Sequence, residues 1–254
     1  MNLNSRQELS WREALNLYRY PVHFRGFSGK QRIEQGWFNF NLVTGNRSET
    51  MAFEERFRNY AESRIEVWYE VVFWKMASQR GRANIQTNRV VDAIGKYGIS
   101  AAELCRRCND FVSTGTRDAF RPLQNLLFKS SSIAIAFTFP AFRCPDRFPM
   151  IDSRVVRYLA AEASALAFPE TNEIRRTLKR YREKSAPGVL TLHDWALVEA
   201  WVRWCREMAP RLSANPGLVW RARDVEMAVF RAWGDDEERR GWPQNRPRYL
   251  LKCE

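Results

Sequence analysis

The sequence predicts an all-α protein, and three observations carry that prediction. Apolar side chains recur at helical spacing along most of the chain. Serine or threonine followed three positions later by an acidic residue marks helix starts at Ser5, Ser10, Ser100 and Thr191. Only one stretch, Phe38-Asn39-Phe40-Asn41-Leu42, alternates with the period of a strand. That stretch sets the one candidate β element, a short hairpin near residues 33–43.

Taken in order, Ser5-x-x-Glu8 and Ser10-x-x-Glu13 open a first helix that ends near Tyr20, just before Pro21. Residues 21–50 are rich in Gly and Asn and read as loops around the candidate hairpin. Phe53, Phe57, Tyr60, Ile65, Val72 and Met76 share a helical spacing and predict one long helix over residues 53–79. Its last turns, 68–76, are apolar nearly all round, which sends it through the centre of the protein. Ser100-x-x-Glu103 caps a short helix running to about Cys108. Pro122 suits a first helical turn and predicts a helix over 122–128.

Lys129-Ser130-Ser131-Ser132 then makes a polar break, and the apolar run from Ile133 forms the next helix, which Pro140 ends or kinks. Ser153 begins a helix reaching Phe168, with Val155, Val156, Leu159 and Ala163 inward. Residues 175–184 are strongly basic and read as the exposed face of a helix. Thr191-x-x-Asp194 caps a helix over 194–208, with Trp195, Val198, Val202 and Cys205 on one side, and residues 223–233 form the last helix. No repeat or low-complexity linker is visible, so residues 1–254 are expected as a single compact helical unit.

Composition narrows the function. The chain has 254 residues, 41 Lys and Arg against 29 Asp and Glu, and a formal charge of +12. Arg supplies 34 of the basic residues and Lys 7. Such an excess favours a polyanionic partner, nucleic acid before an anionic membrane surface, although it is also compatible with coding composition alone. With 45% hydrophobic and 13% aromatic residues the chain is no disordered tail. No apolar run approaches the ~20 residues of a membrane span. The first twelve residues carry no apolar secretory segment. Five cysteines, an odd number at irregular spacing, do not form a disulfide framework, so a reducing cytoplasm is expected. Cys105-Arg-Arg-Cys108 has zinc-ligand spacing but lacks a second pair, and two histidines are too few for most triads or His-rich metal sites. No metal is therefore expected.

The segment 123–159 holds the candidate chemistry. An apolar helix over residues 132–142 would be ~16 Å long, and the eight residues after it can span up to ~26 Å. The chain can thus return along the helix and set Asp152 near the Lys129–Ser132 turn. Asp152 itself precedes a helix, where backbone N–H groups and the helix dipole favour an ionised carboxylate. A serine-rich turn opening a helix offers N–H groups to a phosphate oxygen. Each feature has a plainer alternative. Asp152 serves equally as a helix cap, the Lys129–Ser132 turn as a solvated connection, the 175–182 run as a solvated face, and the Trp-rich segments 68–74 and 195–204 as core.

Those residues resemble the helix-hairpin-helix DNA glycosylase superfamily over about 65–165. Phe128-Lys129-Ser130-Ser131-Ser132-Ile133-Ala134 stands where the family has its G-V-G-x-K-[TS]-A hairpin, and Ile151-Asp152 stands at the family's V-D segment. Met76-Ala77-Ser78-Gln79 is similar to the family's L-S-Q-Q segment. The resemblance implies a glycosylase-like core over 65–165, with 1–64 and 166–254 as a second lobe. It implies hydrolysis of the N-glycosidic bond of a flipped base in double-stranded DNA, with Asp152 as the catalytic carboxylate. Lys129, Ser130, Ser131, Ser132, Arg154 and Arg157 would contact DNA, and Gln79 would enter the gap left by the base. Ser132 occupies the position of the lysine with which lyase-active members form a Schiff base, so monofunctional base excision is expected. Four clustered cysteines for an iron–sulfur cluster are missing from the C-terminal half, so no cofactor is expected either. The degenerate hairpin points to a specialised modified base, such as a hypermodified base of phage DNA met in antiviral defence. The implied protein is a monomer with no protein partner and no membrane association. The alternative is a catalytically inactive DNA-binding module of the same fold.

Overall fold

The computed structural model describes residues 5–24, 42–76, 82–127, 133–183, 189–214 and 217–233. Among them the chain is mostly helical. Helix α1 (Ser5–Asn16) is followed by strands β1 (Tyr20–Phe24) and β2 (Leu42–Gly45). Helices α2 (Arg47–Tyr60), α3 (Glu66–Met76), α4 (Arg82–Tyr97), α5 (Ala101–Thr114), α6 (Arg117–Leu127) and α7 (Thr138–Arg143) come next. Then follow α8 (Ser153–Glu162), α9 (Asn172–Glu183), a single 3-10 turn (Leu192–Asp194), α10 (Trp195–Leu212) and α11 (Ala222–Trp233). No helix among the described residues is long and apolar enough to cross a membrane.

The chain divides into two compact units, one built from residues 19–144 and one from residues 1–18 together with 145–254. The second boundary, Cys144/Pro145, falls inside the 65–165 segment.

In the 19–144 unit, β1 and β2 pair antiparallel, Tyr20 opposite Gly45 and Phe24 opposite Leu42, with an irregularity between Pro21 and His23. A proline has no N–H for a ladder, and a two-stranded sheet tolerates it because each strand is an edge. The strands lie at 20–24 and 42–45; residues 33–41, where the hairpin was expected, lie outside the described residues. The expected helix over 53–79 is two helices. Asn46 opens α2 with a reciprocal capping box, its side chain accepting the Glu49 N–H while Glu49 accepts the Asn46 N–H. The chain leaves α2 at Tyr60, and the Trp68 indole N–H donates to the Ala61 carbonyl at 2.7 Å, which fastens the connection to α3. The Arg56 guanidinium reaches Glu70 across the same break at 2.6 Å. α3 is buried on every side, as its all-round apolar sequence predicts. Trp68 and Trp74 meet Phe57, Phe139 and Phe142 at its centre, so the 68–74 tryptophans are core.

Ser100 caps α5, which runs past the expected end at Cys108 to Gly115, a left-handed C-cap at φ 70°. Phe111 explains the extra turn: it packs on Phe120 and Phe137 and is buried. Helix α6 begins before Pro122, because the Thr116 hydroxyl accepts the Ala119 N–H at 3.4 Å and starts it earlier. The expected helix from residue 132 to Phe142 is reduced to α7, preceded by turns at 134–137. Pro140 neither ends nor kinks α7. It sits in the first turn, where no intrahelical N–H partner is needed.

In the other unit, α11 packs on α1, α8 and α10, and α8 packs on α9. Trp11 lies against Trp204 and Trp220, and Trp201 stacks on Trp204 at 5.5 Å. These rings are core too. α11 is unusual in burying charge at its start. Asp224, fully buried, accepts the Arg221 N–H at 2.9 Å and its guanidinium through Nε and Nη2. Arg223 pairs with Glu226 and donates to the Tyr18 hydroxyl at 3.4 Å. A buried charge is tolerable only with such partners.

Candidate functional site

Asp152 is placed by a segment pinned on both sides. Upstream, the Pro145 carbonyl accepts the Arg223 N–H at 3.0 Å. Phe148, Met150 and Ile151 are buried, and the Met150 carbonyl accepts the Trp201 indole N–H at 2.8 Å. Downstream, Asp152 is the N-cap of α8. Its backbone is extended (φ −147°), and Oδ1 accepts the N–H groups of Arg154 at 2.9 Å and Val155 at 3.1 Å. The capping role that the sequence offers for this residue is realised, and both capping bonds fall on one oxygen. The carboxylate is half-buried at a helix N-terminus, where the aligned peptide dipoles favour negative charge.

Arg154 and Arg157 lie on the first turns of α8, each half-buried. The Arg154 guanidinium sits 4.8 Å from the centre of the Phe230 ring, which fixes it by a cation–π contact. Arg157 makes no hydrogen bond or ion pair among the described residues. Asp152, Arg154 and Arg157 are therefore neighbours on one helix end. Lys129, Ser130, Ser131, Ser132 and Gln79 lie outside the described residues.

The basic run 175–182 belongs to α9, which presses Ile174, Leu178 and Tyr181 into the core against α8. A solvated face describes only part of it, because its cations have separate tasks. Arg175 pairs with Glu170 at 3.4 Å and Lys179 with Glu183 at 3.6 Å, both exposed. Arg182 donates through Nε and Nη2 to the Ala160 carbonyl near the end of α8, at 2.8 and 2.5 Å. Arg180 donates to Asp194 Oδ1 at 2.6 Å. Asp194 is buried and also accepts from the Thr177 hydroxyl and from the Thr191 N–H and hydroxyl. Arg176 makes no hydrogen bond or ion pair among the described residues.

Tyr181, buried on α9, lies under the Arg180 guanidinium, 5.6 Å from its ring centre. Its hydroxyl is pushed up to about 12, first by burial and then by the charges of Asp194 and Asp152, against the opposing pull of Arg180. The Asp152 carboxylate and the Arg180 guanidinium thus both act on the Tyr181 hydroxyl. Beside it, Glu173, Arg176, Thr177, Arg180, His193 and Asp194 line a cleft of about 290 Å3. Nothing local in the sequence announces this group, since Asp194 reads as a cap and 175–182 as a surface run. Only the packing of α9 on α8 and on the 3-10 turn joins them.

Other sequence candidates resolve structurally. Cys105 and Cys108 are both buried in α5, and burial pushes both thiols up, so each is held as a neutral core thiol rather than a metal-binding thiolate. Among the described residues no group of three His, Cys, Asp or Glu is placed to hold a metal. Glu70 is paired with Arg56 and Glu226 with Arg223. Comparison with family models, with curated proteins and with solved structures finds no match for this chain.

Proposed function

We propose that the protein is a monofunctional DNA glycosylase that hydrolyses the N-glycosidic bond of a flipped, modified base, with Asp152 as its carboxylate. One observation carries the reading. Asp152 is held from both sides, by Trp201 through Met150 and by the first turn of α8, with Arg154 and Arg157 following it on the first turns of that helix. A fixed carboxylate in a basic setting is what cleavage of a glycosidic bond in a polyanion requires. The basic groups hold the phosphates, and the carboxylate meets the positive charge that develops on the sugar.

In the proposed reaction the bond between C1′ and the base nitrogen breaks, and its electron pair leaves with the base. Water adds to C1′ as Asp152 takes its proton, and an abasic site remains. The chain's own residues suffice for this chemistry without a cofactor, and Ser132 in place of a hairpin lysine leaves the strand uncut. The substrate class is duplex DNA carrying a modified base, and a hypermodified phage base suits the divergent hairpin.

The test is to incubate the protein with DNAs carrying different modified bases and to identify released bases by mass. Base release from at least one of them, with a loss of ~10²–10⁴-fold in Asp152→Asn, is the expected result. Release at the wild-type rate by Asp152→Asn removes Asp152 from the mechanism. Tight binding to every duplex with no base released makes the protein a DNA-binding module instead.

A further inference from the structure

The cleft between α9 and the 3-10 turn is lined by donors far in excess of acceptors. Arg176 stands exposed with all five guanidinium N–H groups unspent among the described residues. Arg180 gives one amino group to Asp194 and also bonds the Tyr181 hydroxyl, while its side chain stays 38% exposed. The accessible guanidinium N–H groups of Arg176 and Arg180 together suit a ligand that brings several oxygen acceptors. His193 adds an exposed imidazole, its backbone N–H already taken by the Thr191 hydroxyl at 3.3 Å.

Two carboxylates also line the cleft, and their states differ. Asp194 is buried, and four donors from Thr177, Arg180 and Thr191 fill its two oxygens, so it orients Arg180 rather than opposing a ligand. Glu173 is exposed on the first turn of α9 and forms no ion pair with Arg176, one turn along. It is the one lining group that would repel an anion.

We infer that this cleft is a phosphate site, in which Arg176 and Arg180 grip the non-bridging oxygens and His193 closes one side. Guanidinium groups suit this task because their planar fork can match two phosphate oxygens at once. The inference does not depend on Asp152 being catalytic. Where the glycosylase reading holds, the phosphate is a diester of the DNA backbone, since α9 packs on α8, the helix that Asp152 caps. A free phosphate or a nucleotide would satisfy the same groups.

The experiment uses the full chain and has two arms. With only two histidines, His23 and His193, the imidazole region of a heteronuclear NMR spectrum is simple. Adding inorganic phosphate at constant pH, against chloride of equal ionic strength, is expected to move the His193 signals saturably. Arg176→Ala should abolish the response, and Glu173→Gln should strengthen it, which a merely structural role for these exposed residues would not do. The second arm measures duplex DNA binding across a salt series. If the source is the DNA backbone, Arg176→Ala lowers the slope of log K against log salt by about 1. A phosphate response with an unchanged DNA slope keeps the site and assigns it to a free phosphate or nucleotide. His193 signals that ignore phosphate, together with an unchanged slope, overturn the inference. Failure of base excision leaves both readouts untouched, so the two proposals fail separately.

Discussion

At Asp152 a single side chain carries two roles that substitution can separate. Asparagine caps a helix about as well as aspartate, so Asp152→Asn should leave the urea midpoint almost unchanged while base release falls. Asp152→Ala removes the cap as well, and should cost about 1 kcal/mol of stability in addition. Equal behaviour of the two variants in both assays would mean that capping is the whole of the role. Ala167 makes a different point. The stretch after α8 closes with Phe168 N–H on the Ala163 carbonyl and Ala167 N–H on the Ser164 carbonyl, a left-handed helix end, yet the left-handed residue is alanine at φ 48°. Left-handed backbone costs a non-glycine residue roughly 1–2 kcal/mol. Ala167→Gly is therefore expected to stabilise the protein by about 1 kcal/mol and to raise Tm by ~2–4 °C, read by calorimetry. Glu70 sets a pH dependence. Burial raises its carboxyl above the ordinary value, and Arg56 only partly offsets this. The folded state thus holds that proton more tightly than the unfolded chain, so the contribution is present below the ordinary carboxylate pKa and is lost as pH rises through the raised one. Glu70→Gln should match the wild type in mild acid and exceed it at neutral pH, in urea titrations at both values.

Elements show which features could be seen in the sequence. Helix starts at Ser100 and Thr191 were legible because a cap is a contact between residues three apart. The all-round burial of α3 was legible for the same local reason. The break between α2 and α3 was not, because the Trp68–Ala61 and Arg56–Glu70 contacts that hold it leave the apolar spacing unbroken. Pro140 misled in the opposite direction, since a proline signals a helix start as readily as a helix end and only the neighbouring fold decides which. At the site, Asp152, Arg154 and Arg157 stood together in the sequence, whereas Tyr181, Arg180 and Asp194 joined them only through packing. Trp201 is the most telling of these long-range parts. Trp201→Phe keeps the ring stack but takes the indole N–H away from the buried Met150 carbonyl, at a cost of about 1–3 kcal/mol. If that bond positions Asp152, kcat for base release should fall while KM for DNA holds. A fall in stability alone would restrict Trp201 to the core.

For the whole molecule, the consequence lies in how the chain is partitioned. The 19–144 unit is continuous in sequence, while the other unit must recruit α1 from before it. The segment is no ornament there: Trp11, Ala14 and Leu15 of α1 and Tyr18 just after it are buried, Trp11 against Trp204 and Trp220, and the Tyr18 hydroxyl accepts from Arg223 in the buried charge cluster. Removing one buried tryptophan costs about 3–5 kcal/mol, a large share of the ~5–15 kcal/mol that a domain commands. Losing the whole segment also leaves Arg223 short of a partner. The fragment 19–144 should therefore fold by itself and melt cooperatively. The fragment 145–254 should show helical circular dichroism without a cooperative transition, and should gain one when a peptide of residues 1–18 is added. Because Asp152 and the α9 cleft both belong to the discontinuous unit, the peptide should also restore the His193 response to phosphate. A cooperative melt of 145–254 without the peptide would show that α1 only covers a core already complete.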